Sequence, residues 1–133
     1  RTYASLHKLW CIDRFNSLQK MEAGLQILQN AEAAKMYKDL IIQLNKDFLR
    51  AGIADQFGED LAAEALMRNL TGSLYTTIVS DFEVYLNLLY VIDVSESKIK
   101  NLPQQEVHEL VFAVSELILE REFVKVSFKN RSE

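Results

Sequence analysis

Proline occurs once and glycine four times in 133 residues. Turns and strand-rich folds use both heavily, so their scarcity points to long helices and few loops. Cysteine occurs once, at Cys11, which rules out an internal disulfide and fits a reducing, cytoplasmic compartment. No run approaches the ~18 apolar residues of a membrane-crossing helix, and no basic-then-apolar leader opens the chain. The chain begins at Arg1 rather than Met, so it reads as a trimmed chain or as a piece of a longer one, and an upstream leader or domain stays open.

Site chemistry is just as sparse. There is no G-x-x-x-x-G-K, G-x-G-x-x-G, G-x-S-x-G or H-E-x-x-H motif. Di-metal helical bundles need Glu-x-x-His pairs, but Ala4 stands three residues before His7, and Gln105 three before His108. His7 and Cys11 share a helical face at i and i+4. A zinc site needs three or four ligands, and no second cysteine or spaced histidine pair completes one. Cys11 also opens an apolar stripe and is expected to be a small core residue. No metal, cofactor or catalytic residue is therefore expected.

What is present is an ordinary globular composition. A hydrophobic fraction of 49% supplies a core, and a charged fraction of 26% supplies a soluble surface. Residues 1–133 are read as one domain, a size that buries roughly two thirds of its unfolded surface. Charge is uneven. Residues 1–50 carry net +3, residues 51–122 net −9 and residues 123–133 net +2. An acidic middle repels phosphates, which argues against a nucleic-acid partner.

Periodicity gives four or five helices. The first runs from about Ser5 to Gln29 on a stripe of Cys11, Phe15, Leu18, Met21, Leu25 and Leu28. A break is placed near Gln29–Asn30, with Asn30 capping a second helix that ends at Gly52. The segment "FGEDLAAEALMRNL" makes a third helix. "TGS" interrupts it, Gly72 ending one helix and Ser73 capping the next. The fourth then runs from Leu74 to about Ile92. "DVSESKIKNLP" reads as a loop, with Pro103 as the first residue of the last helix. Beyond Glu120 the wheel would place Arg121, Glu122 and Lys125 on the apolar face, whereas "FVKVSFK" alternates. An extended segment is expected over residues 123–129.

The stretch "EVHELVFAVSELILERE" holds His108 among glutamates. On a helix, Val107, Val111, Val114 and Ile118 share the inner face, while Glu109, Glu116 and Glu120 fall opposite. Helical geometry turns Glu106 and Glu109 away from His108, so their adjacency is not a constellation, and the histidine is expected to be structural. Tyr75, Phe82 and Tyr85 could line a small-molecule pocket, although aromatics at helical spacing more often fill a core. Leu6, Leu9 and Trp10 centre roughly 100° away from the main stripe of the first helix, at 100° per residue. They form a second apolar face suited to a homodimer contact.

The fold class expected is all-α, an antiparallel up-and-down bundle of four to five helices with a short extended segment at the C-terminus. The function expected is a non-catalytic intracellular protein-interaction or regulatory module. One alternative is a small-molecule-binding bundle with an aromatic pocket. Another is an acidic inhibitor or immunity-type protein for a basic partner, which needs Glu59, Asp60, Glu64, Asp81 and Glu83 in one exposed patch.

Overall fold

A computed structural model describes residues 19–132, which form an all-α helical bundle with no strand among them. Helix α1 covers residues 19–33, α2 Tyr37–Ala51, α3 Ala63–Ser80, α4 Phe82–Ile92, α5 Glu96–Lys100 and α6 Val107–Ser132. The stretch from Arg1 to residue 18, with Leu6, His7, Leu9, Trp10 and Cys11, lies outside the described residues.

The apolar stripes turn inward as their spacing requires. Met21, Leu28 and Ala31 of α1 are buried, as are Leu40, Ile41, Leu44 and Phe48 of α2. From α6, Val111, Val114 and Ile118 enter the same cluster. Gly24 of α1 faces Met67 of α3 with no room for a side chain. A Cβ there would stand 2.6 Å from Met67 Cε and 2.8 Å from its Sδ.

Three helices end in the same way, with a left-handed residue and two reversed backbone bonds that satisfy the last carbonyls. Gly52 does this after α2, at φ 97°, as its sequence position predicts. Lys35 at φ 60° closes α1, and Asp93 at φ 69° closes α4. Met36 N–H donates to Ala31 O, Ile53 N–H to Phe48 O and Val94 N–H to Leu89 O. In each motif the residue that follows the left-handed one is apolar, as the motif's hydrophobic contact requires.

Several sequence expectations are corrected. The α1–α2 break falls at Ala34–Lys35, not at Gln29–Asn30, and Asn30 lies inside α1, accepting a bond from Gln26 Nε2. A non-glycine left-handed residue makes the turn, so no glycine or proline announces it. Helix α3 runs through "TGS" unbroken. Thr71 Oγ1 donates back to Met67 O, and Ser73 Oγ donates to Asp55 Oδ2 at 2.6 Å, so these hydroxyls are satisfied without ending the helix. The interruption comes at Asp81 instead (φ −154°, ψ 82°), whose side chain accepts from Val84 N–H and starts α4. The presumed loop contains the single-turn α5, and Pro103 sits four residues ahead of α6 rather than inside it.

The largest correction concerns the C-terminus. Residues 123–129 are not extended, because α6 continues through them to Ser132. Two of the charged residues that should have broken the apolar face are paired with carboxylates outside α6. Lys125 Nζ reaches Asp47 of α2 at 2.8 Å, and Arg121 reaches Asp93 at 3.2 Å. Lys129 Nζ also meets Gln43 Oε1 at 3.4 Å, so the register of α6 against α2 is antiparallel.

Candidate interaction surface

Among the described residues, two groups of side chains that depart from the rule of apolar inside and polar outside bear on function. One is a buried charge cluster, and the other is an exposed apolar ridge.

The charge cluster joins α2, α4 and α6. The side chains of Asp47 and Glu122 are fully buried, and that of Lys125 is 20% exposed. Lys125 donates to Asp47 Oδ2, lies 3.4 Å from Glu122 Oε1, and donates to the Val91 carbonyl at 3.4 Å. Gln43 Nε2 donates to the other oxygen of Asp47. As a carboxylate, Glu122 finds no hydrogen-bond donor in good geometry for either oxygen. As a neutral acid it carries a proton that the neighbouring Asp47 carboxylate accepts. Burial first, then that hydrogen bond and the Asp47 charge, push Glu122 up to about 9, against an opposing pull from Lys125. One lysine thus answers one carboxylate, and the second carboxyl stays neutral at pH 7.

The apolar ridge runs along α3 and α4. Phe82, Leu86 and Tyr90 stand at i, i+4 and i+8 on the outer side of α4, while Tyr85, Leu88, Leu89 and Ile92 face inward. Tyr90 is 84% exposed, Phe82 53% and Leu86 50%. Across the Asp81 break, Tyr75 and Val79 extend the ridge onto the last turns of α3, at 45% and 63% exposure. At about 100° per residue, Tyr75, Val79, Phe82, Leu86 and Tyr90 fall on one side of a single wheel and the buried residues of α3 and α4 on the other, so the outward stripe is set by the sequence pattern and not by the break. Phe82 also packs on Tyr85, with ring centroids 5.4 Å apart. Beside the ridge lies a shallow depression of about 530 Å³ bordered by Asp81, Glu83, Val84, Leu86, Asn87 and Tyr90.

The residues singled out in the sequence are therefore separated. Of the aromatic trio, Tyr85 is core, while Tyr75 and Phe82 are surface. They do not converge on one pocket, because one faces the core and two face outward. A cleft of about 890 Å³ lies elsewhere, between the end of α1, the α4–α5 connection and the second half of α6. Its lining combines the apolar Ile27, Leu117 and Phe123 with the charged Lys98, Arg121, Arg131, Asp93 and Glu120.

The five acids proposed as one patch are all exposed, but they fall in two groups. Glu59, Asp60 and Glu64 sit at the start of α3, and Asp81 and Glu83 lie past its far end. The 18-residue helix between them spans about 27 Å at 1.5 Å per residue. His108 is 63% exposed, and its Nδ1 lies 3.2 Å from Glu106 Oε2. The expectation that Glu106 turns away assumed a helix already formed at residue 104, whereas α6 starts at Val107 and leaves Glu106 free to fold back. Glu109 instead pairs with Lys20 of α1 at 2.8 Å, which holds its carboxyl below the usual range.

Sequence reasoning missed Val79 and Leu86 as surface residues, and Asp47, Glu122 and Lys125 as a cluster. The signal for the cluster was present: Glu122 and Lys125 fall on the apolar face of a continued α6 wheel. No protein-family model, curated protein or solved structure matches this chain. Its function is therefore argued from its surface.

Proposed function

We propose that this chain is a non-catalytic protein-interaction module that docks a partner on the Tyr75–Val79–Phe82–Leu86–Tyr90 ridge. The observation that carries this reading is the exposure of three large apolar side chains in register along one short helix, with two more leading into it. Scattered exposed apolar residues are normal on a soluble surface, but an aligned patch containing aromatic residues is the usual anchor of an interface. A single cysteine and the lack of a membrane-crossing helix among the described residues fit a cytoplasmic setting for such a module. A homodimer through Leu6, Leu9 and Trp10 remains the alternative route to covering apolar surface.

The test compares capture of binding partners by the wild-type chain, by Leu86→Glu/Tyr90→Glu and by the control Val124→Glu on the far cleft. Partners retained by wild type and control but lost by the ridge variant support the reading. Equal capture by all three ends it.

A second reading, small-molecule binding, is favoured by the ~890 Å³ cleft against α6, a volume within the range of ligand pockets. Thermal-shift screening of the wild type against Val124→Trp, which narrows the cleft, separates it from the first reading.

A further inference from the structure

We infer that the partner of the α3–α4 ridge is a basic amphipathic helix; this rests on the docking reading above and adds the partner's chemistry.

The first argument is about backbone. A helix surface has no free main-chain donors or acceptors to offer, and no sheet edge exists among the described residues. An extended peptide laid on this ridge would bury its own N–H and C=O groups against apolar side chains, a cost of several kcal/mol for each unsatisfied group in a fully apolar setting. A helical partner satisfies its backbone internally. The Phe82–Leu86–Tyr90 ridge is about 12 Å long, which matches the i, i+4, i+7 face of two helical turns.

The second argument is about charge. From residue 69 to residue 97 the chain has no Lys or Arg and four carboxylates. Asp81 and Glu83 border the ridge and its depression, both are exposed, and neither belongs to an ion pair among the described residues. Cations beside an apolar stripe on the partner would meet them. A second copy docked ridge to ridge would not. Packed parallel, it sets Asp81 and Glu83 against themselves. Packed antiparallel, it sets them against the end that holds Glu96 and an Asp93 already bound by Arg121. An anionic membrane surface is repelled for the same reason.

The experiment uses two synthetic peptides of about 18 residues, long enough for helix to be induced on docking. They share one leucine/tryptophan stripe and carry either Lys or Glu at every polar position. Binding is read by fluorescence anisotropy. The lysine peptide is expected to bind the wild-type chain at least about tenfold more tightly than the glutamate peptide, and less tightly as salt is raised. Asp81→Asn/Glu83→Gln removes that preference while keeping an N-cap side chain at residue 81. Glu59→Gln/Asp60→Asn, the same charge change at the far end of α3, leaves it intact. Leu86→Ala/Tyr90→Ala weakens both peptides, and circular dichroism confirms that each variant is folded.

Equal affinity for the two peptides, or a preference that survives Asp81→Asn/Glu83→Gln, overturns the basic partner but leaves the docking face standing if Leu86→Ala/Tyr90→Ala still weakens binding. Binding untouched by Leu86→Ala/Tyr90→Ala overturns both. No binding of the lysine peptide at ~100 μM overturns the inference, that concentration lying above the micromolar range of ordinary specific association. A wild-type dimer that Leu86→Ala/Tyr90→Ala dissociates assigns the face to a second copy and also overturns it, as does binding of zwitterionic phosphatidylcholine vesicles that the same variant abolishes.

Discussion

Glu122 carries the sharpest consequence at the scale of single residues. Its folded-state pKa of about 9 lies above the unfolded value of 4.5, so its preference for the folded state is full below 4.5 and is lost as pH rises toward 9. Urea midpoints of the wild type are expected to fall between pH 5 and pH 9. Glu122→Gln keeps the shape without the titration, so its midpoints should fall less over that range. Identical slopes for the two proteins would show that Glu122 is not the group responsible. Lys125→Met acts differently, because it leaves the buried Asp47 without its cation. A loss of about 3–5 kcal/mol by urea denaturation at pH 7 is expected, the usual result of breaking a buried pair from one side. His108, exposed and paired with the still more exposed Glu106, should tolerate alanine within about 0.5 kcal/mol.

Helix ends and crossings dominate at the scale of elements. Lys35 takes a left-handed conformation that disfavours any residue with a Cβ. Lys35→Gly is expected to stabilise the chain by about 0.5–1 kcal/mol, visible as a higher denaturation midpoint with an unchanged slope. The same change at Asp93 should gain less, because it also removes the partner of Arg121. Asp81→Ala removes the hydrogen bond that opens α4 and should cost about 1 kcal/mol. The loss is local to that cap, so amide exchange should rise most in the first turn of α4. Exchange that rises evenly along the chain would argue against a local role for Asp81.

At the scale of the whole molecule, the bundle holds a shared core with local exceptions on its surface and within it. Replacing Leu86 and Tyr90 together by glutamate should leave the denaturation midpoint almost unchanged, because both side chains already face water. A comparable pair of core residues, Leu88 and Ile92, should cost about 2–5 kcal/mol for each change to alanine. A ridge variant that unfolds the protein would place these residues in the core after all.

The all-α architecture was legible in the sequence because apolar spacing of three and four forces helices to bury one face, and because proline and glycine are too rare to interrupt them. Gly52 was legible as a helix end because only glycine takes its conformation without penalty. The inner face of α6 from Val111 to Ile118 was legible for the same periodic reason. The ends at Lys35 and Asp93 were not, since each residue is held left-handed by bonds to carbonyls upstream and by apolar packing that a local pattern does not display. "TGS" was misread because Ser73 finds a partner in Asp55, 18 residues away. The continuation of α6 was misread because Glu122 and Lys125 are tolerable on an inner face only when Asp47, 78 residues from Lys125, stands opposite. Periodicity reports what a segment wants to bury. Whether a charge on that face ends the helix or joins it to another depends on what lies across the interface, and only the tertiary structure decided that.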